Sequence, residues 1–195
     1  RAGIASRRDA ERLIREGRVT VNRSTVTELG TKVDPACDVI AVDGKKITSL
    51  PAHLYIMLHK PPGYVSTLRD PEKRPIILDL LRGVKARVFP VGRLDYDAEG
   101  LLLLTNDGPL THRLHHPRYG IKRTYEVKVK GVPSEDALNR LRKGIPLEDG
   151  MTHPARVGFL RSSINNSWIR ITLGEGRNRQ VKRMCAFIGH PAIKI

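Results

Sequence analysis

Near the middle of the chain four consecutive leucines, Leu101 to Leu104, stand between Gly100 and the tripeptide Asn106-Asp107-Gly108. An apolar run this short, closed by a turn signal, reads as a strand buried on both faces. It can exist only inside a packed core. The residues before it, DYDAEG, place Asp95, Asp97 and Glu99 at its entrance, and Asp107 follows its exit. Four carboxylates around one core strand are unexpected in a chain with 35 Lys and Arg against 20 Asp and Glu, a formal net charge of +15.

That excess charge points to a polyanionic partner. A membrane surface would also attract it, but the sequence holds no long apolar span and no basic amphipathic helix with an aromatic face. Nucleic acid is the expected partner. With 39% hydrophobic and 28% charged residues the chain can build a core, and disorder throughout is excluded. The two cysteines, Cys37 and Cys185, lie far apart and outside any metal-ligand spacing, as expected of reduced thiols in a cytoplasmic protein. No signal peptide is expected. The chain opens on Arg1 and stops at HPAIKI, so both ends are expected to continue.

Residues 1–50 read as a small unit. SRRDAERLIREG starts with Ser6 as helix N-cap and Asp9 in the capping-box position, and ends at Gly17. At helical spacing Arg8, Arg12 and Arg15 share one face, opposite Ala10, Leu13 and Ile14. Glu11 and Glu16 lie off the centre of that stripe and are expected to leave it positive, so Arg7, Arg8, Arg12 and Arg15 are candidate phosphate contacts. RVTVN then alternates as a strand, and VIAVDGKKI is a hairpin turning at Asp43-Gly44. AGIASRRDAERLIREGRVTVN (2–22) resembles the RNA-binding domain named after ribosomal protein S-four. Arg23 departs from the glycine usual after that Asn, which puts the turn there in question.

SLPAH (49–53) reads as a linker to a second unit, 51–195. Strands are expected at 54–60, 88–92, 100–106, 122–130, 154–160 and 167–173, and helices at 109–115, 134–143 and 178–188. Their order lacks a regular βαβ alternation, which predicts an α+β fold with a largely antiparallel, mixed sheet flanked by helices.

The acidic stretch admits several readings. As a calcium loop, Asp95, Asp97, Glu99 and Gly100 fit the first half, but Asn106 stands at the twelfth position, Leu103 replaces a polar ligand, and flanking helices are missing. As a phosphatase pair, Asp95 and Asp97 follow a strand, yet Glu99 occupies the place of the expected Thr. As a polar turn, the pattern suits Asn106, Asp107 and Gly108. It suits Arg93-Leu94-Asp95 less well, because these sit just past a strand end, where loops display catalytic groups.

GRLDYDAEGLLLLTNDG (92–108) strongly resembles the segment around the catalytic aspartate of pseudouridine synthases of the RsuA-like ribosomal RNA family, with the large-subunit, RluB-like type favoured. KPPGYVST (60–67), KRTYEV (122–127) and EGRNRQVKRM (175–184) resemble that family's other motifs, in order. The resemblance implies a pseudouridine synthase fold and isomerisation of uridine in ribosomal RNA, 23S favoured over 16S, on a flipped-out nucleotide. It implies no metal and no organic cofactor.

By the same resemblance Asp95 is the catalytic residue, as nucleophile or as base on the ribose. Burial raises an aspartate's pKa and a close cation lowers it, so an ionised carboxylate in a closed pocket needs a basic partner. Lys182 matches the family's basic residue for that role, with Arg179 and Arg183 as alternatives that are instead given to RNA phosphates. On pattern alone the helix at 178–188 shows only a basic face opposite Val181, Met184, Cys185 and Ile188. Tyr125, on an alternating strand, reads as core from its spacing and as the aromatic stacked on the uracil from the resemblance. Arg93 is expected to fill the gap left by the flipped base, or else to pair with Asp97 or Glu99. Arg177, Asn178 and Gln180 join the RNA contacts. Lys60 opens a KPPG turn that is expected to shape a loop beneath the site rather than perform chemistry. The His115-His116 pair is read as a helix end near RNA. The expected partner is ribosomal RNA or a pre-ribosomal particle, with no membrane, and the expected state is a monomer. The alternatives are a non-catalytic RNA-binding or ribosome-assembly factor and a magnesium-dependent phosphatase.

Overall fold

A computed structural model describes residues 2–34, 36–48 and 51–195. Ser49 and Leu50, where the expected linker begins, lie outside the described residues, as do Arg1 and Pro35. The chain forms two compact units: residues 1–54 with Val84–Val88, and residues 55–83 with 89–195.

In the first unit, helix α1 (Arg7–Arg15) begins as its sequence dictates. The Ser6 hydroxyl accepts the Asp9 backbone N–H at 3.1 Å and donates to the Asp9 carboxylate at 2.6 Å. It ends at Gly17, whose φ of 69° suits a residue without a Cβ. Strands β1 (Val19–Val21), β2 (Ser24–Thr25), β3 (Ile40–Val42) and β4 (Lys45–Lys46) form one antiparallel sheet in the order β2-β1-β3-β4. Asp43 and Gly44, at φ 49° and 73°, make the expected hairpin turn. The turn after β1 also forms despite lacking glycine. Asn22 and Arg23 both take positive φ, 51° and 71°, and Val21 pairs with Ser24 across them, giving the strand β2 that the sequence reading left out. None of α1 is buried. The expectation that its acids leave the arginines unneutralised fails in part. Arg7 reaches Glu11 at 3.6 Å, and Arg12 reaches Asp9 and Glu16 at 3.8 Å, because i, i+3 and i, i+4 neighbours meet on a helix surface.

The second unit carries the core. Strands β8 (Arg123–Lys130), β11 (Arg156–Ser163), β12 (Asn166–Leu173) and β13 (Ala192–Lys194) form an antiparallel sheet in the order β11-β12-β8-β13. Helices α3 (Glu135–Lys143) and α4 (Gln180–Phe187) cover one face. Alternation along β8 and β12 sends Val127, Val129, Ile169 and Ile171 to that face, where they meet Leu138, Leu141, Val181, Met184 and Cys185. Burial pushes the Cys185 thiol up to about 12, so it behaves as a small apolar group.

A separate three-stranded antiparallel sheet, β5-β7-β6, holds the leucine run: β5 (Tyr55–Lys60), β6 (Phe89–Val91) and β7 (Gly100–Thr105). Leu102 and Leu104 are buried as expected, but Leu101 is exposed, so the strand is not covered on both faces throughout. At its exit Asp107 caps helix α2 (Gly108–His115), accepting the Leu110 N–H at 2.9 Å and the Tyr55 hydroxyl at 2.9 Å. The chain turns there straight into a helix. Two short pieces escaped the sequence reading: β13, and the hairpin of β9 (Pro146–Leu147) and β10 (Gly150–Met151). Two or three residues are too few to show a period. No helix among the described residues is long and apolar enough to cross a membrane.

Candidate active site

Between β6 and β7 the chain makes a loop, Gly92–Glu99, and its backbone is held from below. Lys60, the last residue of β5, lies directly opposite Gly100 and is fully buried. Its ammonium donates to the carbonyls of Ala98 at 2.8 Å, Asp95 at 3.0 Å and Pro61 at 3.1 Å, with Tyr96 at 3.4 Å. A buried cation without these acceptors would be prohibitive, so the loop must wrap it. Burial pushes the Lys60 pKa down, while the charges of Asp97 and Asp95 oppose that. Two further ties fix the loop. The Ser66 hydroxyl donates to the Leu94 carbonyl at 2.8 Å and accepts the Leu94 N–H at 3.1 Å. Gly63 N–H donates to the Tyr96 carbonyl at 2.7 Å. Lys60 belongs to the expected loop-shaping turn, and its side chain is the device: the alternation of β5 puts it on the inward face with Ile56 and Leu58.

This backbone presents Asp95 to a cleft shared with Arg93, Tyr125, Arg179 and Lys182 and walled by Leu173 and Val181. Tyr125 is there because β8 alternates: it shares the apolar face with Val127 and Val129, at the row's open end, opposite Ile171. It packs on the core, as its spacing predicts, and also lines the cleft. Burial pushes its phenol up; Arg123 opposes this and the charge of Asp95 adds to it.

Lys182 stands on the first turn of α4. Its Nζ is 3.8 Å from Asp95 Oδ2, so the expected pair is brought together, but without a hydrogen bond. The direct bonds go to Asp97, at 2.5 and 2.6 Å. These bonds, with the charges of Lys182 and Arg179, hold the Asp97 carboxyl below its ordinary range. Arg93 makes neither of the ion pairs considered for it: Asp97 is bonded to Lys182, and Glu99 pairs with Lys194 at 2.7 Å.

Three residues expected on RNA bond to groups within the protein. Arg183 pairs with both oxygens of Asp149, at 2.9 Å each. Arg177 joins Asp149 at 3.3 Å, Glu175 at 3.1 Å and the Gly150 carbonyl at 2.9 Å. Gln180 is buried, donating to Glu175 at 2.7 Å and accepting the Arg177 N–H at 3.0 Å. Asp149, in the turn of the short β9–β10 hairpin, is thereby held at about 2. It is a clasp on α4 that the sequence reading missed, because its partners lie 28 and 34 residues away. Asn178 and Arg179 remain exposed, Arg179 in the left-handed region at φ 47° just before the helix. His115 is exposed by its surface, yet desolvation by its neighbours, with the Arg123 charge, pushes its pKa down. His116 instead lies near His112, ring centroids 5.0 Å apart.

Residues 54–187 match the RNA pseudouridylate synthase family, and residues 1–40 match the S4 domain. The chain belongs to the RNA pseudouridylate synthase family. As a pseudouridine synthase it is an isomerase. It is 47% identical over its whole length to ribosomal large subunit pseudouridine synthase B of Bacillus subtilis, covering 80% of that protein. It is 46% identical to an uncharacterized RNA pseudouridine synthase of Aquifex aeolicus, across 97% of this chain and 76% of the relative. A crystal structure of a pseudouridylate synthase superposes on the synthase with a TM-score of 0.66 at 29% identity, covering 99% of this chain and 82% of the other. Human RNA Pseudouridylate Synthase Domain Containing 4, at 16% identity and a TM-score of 0.51, covers 71% of this chain and 63% of its own and shares the fold.

Proposed function

We propose that the synthase converts a specific uridine of ribosomal RNA to pseudouridine, with large-subunit RNA favoured, and that Asp95 is the reacting carboxylate. One observation carries the reading. Asp95 opens into a cleft with an ammonium 3.8 Å away and an aromatic ring at the mouth of the core, a setting for a charged carboxylate against a neutral base. The favoured subunit rests on the Bacillus subtilis relative's name and on its 47% identity across the whole chain.

In this reading the target nucleotide leaves its stack and enters the cleft. Extrusion costs a few kcal/mol, and stacking on Tyr125 offsets about 1–3 kcal/mol of it. Arg93, exposed at the rim, occupies the space vacated in the RNA. Asp95 then acts on the ribose, as nucleophile or base. The N1–C1′ bond breaks, the uracil turns, and C5 bonds to C1′. The proton on C5 leaves and N1 gains one, so atoms balance without an added reagent. Leu173 and Val181 help exclude water, which would hydrolyse the detached intermediate.

Arg179 and Asn178 contact phosphates near the cleft. Arg8 and Arg15 do so on α1, with Arg7 and Arg12 exchanging their exposed helix acids for RNA. Residues 1–50 serve as the RNA-binding domain and 51–195 as the catalytic domain of a monomer working in the cytoplasm. Mapping pseudouridine chemically across ribosomal RNA, from cells with and without the gene, tests this. One large-subunit site lost with the gene is the expected result; an unchanged map would remove the reading.

A further inference from the structure

The resemblance assigns Lys182 to Asp95, yet the ammonium is bonded to a different carboxylate. Asp97 holds it through both oxygens at 2.5 and 2.6 Å, while Asp95 stands 3.8 Å off. Asp97 itself is largely exposed, its side chain 66% accessible, whereas Lys182 is 18% accessible. An exposed surface pair would ordinarily contribute little. Three features set this one apart.

The first is that Asp97 sits in a backbone it cannot move. The carbonyls of Asp95, Tyr96 and Ala98, on both sides of it, are tied to the buried Lys60 ammonium, and Ala98 N–H closes the turn onto the Asp95 carbonyl at 3.1 Å. The second is that Lys182 is fixed from its own side by α4, whose buried Val181, Met184 and Cys185 anchor the helix. The third is distance dependence. Attraction between charges falls only as the inverse of separation, but a hydrogen bond is gone by about 3.6 Å. At 3.8 Å the ammonium still stabilises the negative charge on Asp95 without covering either oxygen.

We propose that Asp97 is a positioning residue for the isomerisation: it holds the Lys182 ammonium at a set distance from Asp95, close enough to stabilise that carboxylate's charge and too far to cap its oxygens. The Asp95 oxygens thus stay open toward the ribose. Without Asp97, the ammonium closes on Asp95 and makes it a weaker nucleophile or base. The inference rests on Asp95 being the reacting carboxylate.

The test uses the full chain with 23S ribosomal RNA transcribed in vitro, following single-turnover pseudouridine formation and RNA binding separately. Asp97→Asn should slow the chemical step by about ten-fold or more while the Kd for RNA stays within about three-fold. Asp97→Glu, which keeps the charge, should recover part of the rate, and it guards against a folding defect in the Asn variant. In the Lys182→Met background, Asp97→Asn should change nothing further, since Asp97 acts only through that lysine. An Asp97→Asn rate within about two-fold of wild type, or a full independent loss on top of Lys182→Met, would overturn the proposal. Activity surviving in Asp95→Asn would instead overturn the reading of Asp95, whatever Asp97 does.

Discussion

Helices α1 and α4 are both short and both basic along one face, but they use their cations in opposite ways. On α1, Arg7 and Arg12 keep 95% and 66% of their side-chain surface, and their acid partners are one turn away on the same helix. Around α4, Arg177, Lys182 and Arg183 keep 19%, 18% and 27%, and each has a carboxylate from elsewhere in the chain, Arg177 adding the neighbouring Glu175. Asp97 is 85 residues before Lys182 and Asp149 is 34 before Arg183. The burial differs likewise, none on α1 against Gln180, Val181, Met184 and Cys185 on α4. A basic stripe whose partners are local remains a surface; one whose partners come from distant loops becomes architecture.

The largest effect expected from breaking the α4 arrangement is at Lys182. Its replacement by Met should lower the single-turnover rate by about 100-fold or more, the size seen when one preorganised charge is removed from a site. RNA affinity should hold within a few-fold, so a filter-binding measurement separates the two. Next comes Lys60, the cation that orders the loop. Lys60→Met leaves the buried Ala98 carbonyl and three part-buried ones without this donor and should destabilise the second unit by about 2–4 kcal/mol in denaturant unfolding. An unchanged midpoint would show that the loop holds its shape without it.

Asp149→Asn should have a smaller effect, a drop of a few degrees in Tm, with its main signature in acid. The wild-type carboxyl titrates at about 2 when folded, below its ordinary value. Its contribution is therefore complete above that ordinary value and is lost as pH falls toward 2. The Asn variant lacks the contribution at neutral pH and should show a shallower loss between pH 4 and pH 2, by about the share that Asp149 supplies. The smallest effect belongs to α1. Changing Arg8 and Arg15 together to Gln should weaken RNA binding a few-fold and reduce the salt slope by about 2, leaving the rate at saturating RNA unaltered. A rate effect there would erase the distinction between the helices.

The same contrast marks what the sequence made legible. Long alternating segments such as 122–130 and 167–173 could be read directly, because a two-residue period survives whatever packs against it. The Ser6 and Gly17 helix ends were equally plain, being local chemistry. The alternation of β8 placed Tyr125 on the apolar face with Val127 and Val129, but its position on the cleft came from the resemblance alone. By contrast, β2, β9, β10 and β13 span two or three residues and carry no period. The Asn22-Arg23 turn was obscured because Arg23 takes a conformation that glycine usually supplies. Residue type announced cations at 177 and 183 but not their destination, since Asp149 is remote in sequence. Lys60 was legible only in part: its place beneath the loop was expected and alternation puts it on the inward face of β5, but that its ammonium is the tie shows only once the loop supplies its acceptors.

The central claim is that the Asp95 carboxylate performs the reaction in a cleft built by Lys60, Tyr125 and Lys182. Its most direct test is single-turnover pseudouridine formation on 23S ribosomal RNA by Asp95→Asn, with RNA binding measured on the same preparation. The account predicts no detectable product with an RNA Kd within about three-fold of wild type, because the change removes a charge and leaves the shape. Product formation at a rate near that of the unaltered chain would contradict it.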